Sequence, residues 1–117
     1  MMRIPVRKFK SDRLETMGFH EWLNHKDKGN LILIDVRPKE EYAYDHLKGA
    51  ISIPIDELII QFEKLPKDQE IVVYCRGSYC MYATEAVELL RSKGYKAVRL
   101  EAGIYEWNQL KRVMAKN

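Results

Sequence analysis

The residues best suited to covalent chemistry are Cys75 and Cys80, which bracket the segment CRGSYC. The apolar run IVVY, Ile71 to Tyr74, leads straight into Cys75, and an Ala-rich helical pattern follows Cys80. The segment therefore joins the end of a buried strand to the start of a helix. Successive backbone N–H groups and the helix dipole favour negative charge at such a place. Helix N-termini and neighbouring cations lower a cysteine pKa from about 8.5 into the range of roughly 3.5–7.5, and thiolate is the nucleophilic form. Arg76 supplies a cation, Gly77 and Ser78 let the backbone curl around an anion, and Tyr79 offers a hydroxyl or a ring edge. Cys75 is accordingly the expected nucleophile, with Arg76, Gly77, Ser78, Tyr79, Cys80 and Met81 as the loop that binds an anionic sulfur species. The competing reading is that Cys75 merely closes a core strand, because free cysteine is among the most buried residue types. A zinc site is not expected, since a Cys-x4-Cys pair with His20, His25 and His46 scattered elsewhere lacks ligand spacing.

Several elements must position this loop. Phe19, Trp22 and Leu23 mark one face of a short helix, and Lys28-Gly29-Asn30 breaks it before the strand Leu31 to Val36. Pro38, Glu40 and Glu41 open a further short helix that Gly49 ends. Ala50 to Ile53 forms a short strand, and Ile55, Leu58, Ile59 and Phe62 stripe a helix capped near Asp56. Pro66-Lys67-Asp68 is a turn, followed by the Ile71–Tyr74 strand. Ala83, Ala86, Val87 and Leu90 stripe the helix after the cysteine loop, which Lys93-Gly94 closes. Ala97 to Leu100 is a strand, and Ile104, Trp107, Leu110 and Val113 stripe a last helix starting near Gly103. Strands alternating with helices at this spacing predict an α/β fold: a central, mostly parallel sheet with helices on both faces. Ligands of such sheets bind beyond the carboxyl ends of the strands, where residues 74–83 fall.

A length of 117 residues fits one domain, read as a basic lead-in over 1–13 and a folded domain over 14–117. The composition, 46% hydrophobic and 32% charged with six Gly and four Pro, excludes collagen-like, low-complexity and wholly disordered chains. Twenty Lys and Arg against 17 Asp and Glu leave +3, too small an excess to call for a nucleic-acid or membrane partner. With no long apolar run and no signal-peptide core at the start, the expected location is the cytoplasm. A reducing compartment would hold the two cysteines as thiols.

Three separated motifs resemble the single-domain rhodanese-like sulfurtransferases. LILIDVRPKEEYAYDHLKGAISIP is similar to the family's first signature through Asp35, Arg37, Glu41, Tyr42, His46, Gly49, Ala50, Ile53 and Pro54. VVYC with its tight loop resembles the active-site segment, and LEAGIYEW the closing signature, with Ala102-Gly103 where a Gly-Gly pair is usual and Trp107 after it. The resemblance spans about residues 14 to 113 and implies a rhodanese-like three-layer fold. It implies that Cys75 accepts a sulfane sulfur from a small anionic donor, such as thiosulfate or a persulfide. The resulting persulfide passes that sulfur to cyanide, a thiol or a protein acceptor, with no metal or organic cofactor. Asp35, Arg37 and Glu41 become a structural ion-pair set, and His46 a hydrogen-bonded structural residue.

The loop departs from the usual family pattern in placing Gly at 77 and a second cysteine at 80. This variant resembles rhodanese modules attached to metalloid-responsive transcriptional repressors, although no helix-turn-helix segment is seen in the chain. Phosphatases and arsenate reductases of related fold need an Arg six residues after the nucleophile, where Met81 stands, so phosphoryl chemistry is not expected. A rival of a different class is a non-enzymatic sulfur-carrier or redox-sensing module that acts through a protein partner with a Cys75/Cys80 pair. Two readings of Cys80 stand open: a small apolar residue packed under the helix start, or a thiol that resolves a persulfide at Cys75 into an internal disulfide.

Overall fold

The computed structural model describes residues 16–25, 31–77 and 80–116. The basic lead-in expected over 1–13 and the break at Lys28-Gly29-Asn30 lie outside the described residues. Five strands, β1 (Thr16–Met17), β2 (Leu31–Asp35), β3 (Ile51–Ser52), β4 (Glu70–Tyr74) and β5 (Lys96–Leu100), form one sheet in the order β1-β5-β4-β2-β3. Every pairing in it is parallel. The helices are α1 (Phe19–His25), α2 (Lys39–Tyr44), α3 (Ile55–Gln61) with a 3-10 turn at Phe62–Lys64, α4 (Met81–Ser92) and α5 (Ile104–Lys116).

Strand alternation sorts the apolar side chains onto two faces. Ile34, Val36, Ile71, Val73, Cys75 and Ala97 meet Leu58 of α3 and Ala83, Ala86, Val87 and Leu90 of α4. Leu33, Val72, Tyr74, Val98 and Leu100 meet Trp22 of α1 and Ile104 of α5 on the other face. Both faces are thus covered, and Leu31–Ile34 of β2 and Ile71–Tyr74 of β4 read as continuous apolar runs for that reason. Phe19, Trp22 and Trp107 stand with ring centroids 5.6 to 6.0 Å apart and tie α1 to α5.

Four local expectations are corrected. The cap of α3 is Pro54, not Asp56, whose carboxylate instead accepts the Glu57 N–H. Ile59 leaves the expected stripe and is 55% exposed beside Ile60, because only Ile55, Leu58 and Phe62 of that segment reach the core. The helix begun after Pro38 ends at Tyr44 rather than at Gly49, since Asp45 is extended and Gly49 serves a later turn at φ 87°. Strand β1 was not expected at all: two residues carry no readable period, and it is held by pairing with Arg99 and Leu100, by the Glu101 N–H on the Met17 carbonyl and by burial of Met17 in the core.

Candidate functional site

Cys75 follows β4, the strand flanked by β2 and β5, so it stands at the carboxyl edge in the middle of the sheet. Alternation turns its side chain toward the α4 face, where Cys80, the N-cap residue of α4, packs against the same core cluster. The chain between them folds back through the Cys80 N–H on the Gly77 carbonyl, 3.3 Å. The two cysteines are joined in a disulfide with Cα atoms 6.1 Å apart, inside the reach of about 7 Å for such a bridge. Cys80 is therefore both a bridging sulfur and a packing residue. The two sulfurs, expected as thiols in a reducing compartment, stand within bridging reach because strand end and helix start present both to one face. Of the expected loop, Arg76, Gly77, Cys80 and Met81 are brought together, and Ser78 and Tyr79 lie outside the described residues.

The segment that enters α5 clamps the loop from the other side. Ile104 N–H donates to the Cys75 carbonyl (3.3 Å) and Tyr105 N–H to the Arg76 carbonyl (3.0 Å). This approach requires Gly103: a Cβ there would lie 2.5 Å from the Cys75 oxygen and 2.7 Å from both Arg76 C and Gly77 N. Glu106 accepts the Gly103 N–H at 2.8 Å, one half of a capping box at the start of α5. Its carboxylate also overlies the loop, 3.5 Å from where a Gly77 Cβ would stand.

Beneath the loop lies the ion-pair set expected from the sequence. Arg37, itself buried, donates through Nε and Nη2 to both oxygens of the fully buried Asp35, the closest contact being 2.8 Å. Asp35 Oδ2 also accepts the Tyr74 hydroxyl at 2.7 Å, and that hydroxyl accepts the Leu47 N–H at 2.9 Å. Burial, reinforced by the bond to Asp35, pushes the Tyr74 phenol far above its ordinary value, so it stays a donor. Burial works against the charge on Arg37, but the hydrogen bond and charge of Asp35 outweigh it and its pKa is raised. His46 is hydrogen-bonded, with Nδ1 2.9 Å from the Tyr42 carbonyl and its ring stacked on Tyr42 at 3.8 Å.

Glu41 connects this set to the loop, since it lies 3.9 Å from Arg37 and holds Arg76 by two bonds of 2.9 and 2.6 Å. The bond to Arg76 holds the Glu41 carboxyl below its usual range and raises Arg76 in turn. The Arg76 guanidinium also lies 5.6 Å over the Tyr82 ring. Its charge, expected to serve the sulfur directly, is thus shared with Glu41 and an aromatic face. An open groove of about 730 Å³ runs over the bridge, with Met81 and Tyr82 from α4 on one wall and Tyr105 and Glu106 from α5 on the other. Sequence reasoning missed Glu41 as the partner of Arg76, because 35 residues separate them and no period relates the two. Glu106 was legible in principle: Gly-x-x-Glu at a helix start is a capping signal.

The fold has counterparts in known proteins. Residues 19–110 match the model of the Rhodanese-like domain, and the chain belongs to that family. It is 46% identical over 87 residues to the HTH-type transcriptional regulator Rv0324 of Mycobacterium tuberculosis, covering 74% of this chain and 38% of the regulator. It is 30% identical over 82 residues to a sulfurtransferase of Allochromatium vinosum, covering 69% of this chain and 75% of that one. The solved structure of the BH2092 protein from Bacillus halodurans superimposes with a TM-score of 0.80 at 26% identity, over 95% of this chain and 83% of the other. The chain thus spans well under half of the regulator and most of the sulfurtransferase. Among the described residues no helix is long and apolar enough to cross a membrane, and no group of three or more His, Cys, Asp or Glu is placed to hold a metal ion.

Proposed function

We propose that the domain is a sulfurtransferase in which reduced Cys75 carries the sulfur. The observation that supports the reading most is the seat of Cys75 itself, at the carboxyl edge of the central strand before the N-terminus of the twelve-residue helix α4. A thiolate or terminal persulfide there is stabilised by the helix dipole and by loop amides. With thiosulfate as donor, the Cys75 thiolate attacks the outer sulfur, the S–S bond of thiosulfate breaks, and sulfite leaves with the bonding electron pair. A thiol or cyanide acceptor then takes the outer sulfur, and Cys75 is returned as thiolate. Residues 76–81 form the binding loop, no cofactor takes part, and a reducing cytoplasm would keep the pair open for turnover. Intact mass of the reduced protein after thiosulfate treatment should rise by about 32 mass units, be reversed by a thiol, and vanish in Cys75→Ser. An unchanged mass with thiosulfate, polysulfide and alkyl persulfide alike would refute the reading.

The disulfide favours a second reading, a redox-responsive sulfur carrier that works beside a protein partner, and the likeness to a transcriptional regulator is in keeping with it. In this reading the Cys80 thiolate attacks Sγ of the Cys75 persulfide. The new Sγ–Sγ bond forms, hydrosulfide leaves with the electron pair, and an external thiol later reduces the bridge. Persulfidated wild type should then lose the added sulfur as sulfide and finish about two mass units below the dithiol. Cys80→Ser should keep the adduct, and equal adduct lifetimes in the two proteins would refute this step.

A further inference from the structure

Sulfur transfer at Cys75 leaves open which donor the groove admits, and the charges around the groove bear on that choice. Two positive features border it, and each is met by a carboxylate. The Arg76 guanidinium is bound in parallel by both oxygens of Glu41, a geometry that leaves little of its field for a third partner. The positive end of α5 is capped by Glu106, which accepts the Gly103 N–H and leans over Gly77. The ionised side chains lining this mouth are Arg76, whose charge Glu41 holds from outside the groove, and Glu106. The remaining walls are apolar and open: Met81 is 62% and Tyr105 59% exposed, on either side of Cys80. The N-terminus of α4 bears no acidic residue in its first turn, so its dipole is reserved for the sulfur at Cys75.

Resting on the sulfurtransferase reading, we infer that the groove between Tyr105 and Met81 selects organic persulfides with an uncharged apolar carbon group over donors that carry an added anion. The apolar group lies between Tyr105 and Met81 and removes their surface from water, while Glu106 repels a sulfonate or sulfite placed there. The Cys75 thiolate attacks the outer sulfur of R–S–S–H, that sulfur moves with its proton to give Cys75–S–S–H, and R–S⁻ leaves with the electron pair of the broken bond. Thiosulfate, a dianion, then loads Cys75 more slowly than an apolar persulfide does.

The test compares two donors with the same reacting group, benzyl persulfide and 3-sulfopropyl persulfide, each generated in situ and added to the full chain after reduction. Rates of sulfur uptake at Cys75 are followed by intact mass. The benzyl donor should react about tenfold faster than the sulfonate. Glu106→Gln, which keeps an oxygen for the Gly103 N–H, should narrow the ratio to about threefold, and Tyr105→Ala should narrow it by lowering the benzyl rate. Retained thermal unfolding temperatures would show that both variants fold. Equal rates for the two donors in the wild type, or a faster sulfonate, would overturn the selectivity and leave sulfur transfer standing. Absence of uptake from either donor would overturn both.

Discussion

Gly103→Ala is the most incisive perturbation of the loop because it adds one carbon and no charge. The new Cβ would stand 2.5 Å from the Cys75 carbonyl oxygen and 2.7 Å from two further backbone atoms, none of which can swing away like a side-chain tip. The start of α5 must therefore retreat from residues 75–77. Doing so breaks the Ile104–Cys75 and Tyr105–Arg76 hydrogen bonds, each worth about 1 kcal/mol net. Residual overpacking adds about 1–3 kcal/mol, for a loss of about 3–5 kcal/mol. For a chain of this length that lowers Tm by roughly 10–20 °C. The assay is thermal unfolding by circular dichroism, together with the rate of Cys75 alkylation in the reduced protein. Alkylation should speed up as the clamp on the Cys75 carbonyl is lost. Gly18→Ala is the control, because a Cβ there would meet nothing nearer than Glu101 Oε1 at 3.8 Å. A Gly103→Ala protein within about 2 °C of wild type, with an unaltered alkylation rate, would refute the argument.

Four other outcomes follow from the same geometry. Asp35→Ala strands the buried Arg37 charge and removes the acceptor of the Tyr74 hydroxyl, so urea unfolding should show a loss of about 3–5 kcal/mol; a loss below about 1 kcal/mol would contradict the burial of the pair. Glu41→Gln releases Arg76, so in the reduced protein the ratio of iodoacetate to iodoacetamide alkylation at Cys75 should rise about threefold, and an unchanged ratio would show that Arg76 does not act on the sulfur. The carboxyl pKa of Glu41 is depressed by the bond to Arg76 and then by its charge, so its stabilising contribution is complete above the ordinary value of 4.5 and is lost as pH falls through the lower folded value. The small Tm gap between wild type and Glu41→Gln should accordingly be present at neutral pH and close in acid, and a gap that widens in acid would reverse the assignment. Reducing the Cys75–Cys80 bridge should cost about 2 kcal/mol in urea unfolding, the loop-closure value for ends five residues apart; equal midpoints for the oxidised and reduced chain would count against a native bridge.

Much of this architecture is carried by periodicity alone. The runs at Leu31–Ile34 and Ile71–Tyr74 are apolar on both faces because helices cover both, and the Ala83, Ala86, Val87, Leu90 stripe is the buried face of α4. Local order therefore places Cys75 at a strand end and Cys80 at a helix start. Burial was less legible where several apolar residues compete for one face, which is why Ile59 reads as core and stands in solvent. A strand as short as β1 is defined by its pairing with β5, which no local period announces. The ties that shape the site join residues far apart in the chain: Glu41 to Arg76, Tyr74 to Asp35, and Gly103 against the carbonyl of Cys75. Local sequence sets backbone propensity and which residues want burial. Which charge meets which, and whether a loop cation faces a sulfur or a carboxylate, depends on the packing of distant elements, and only the tertiary structure decided it.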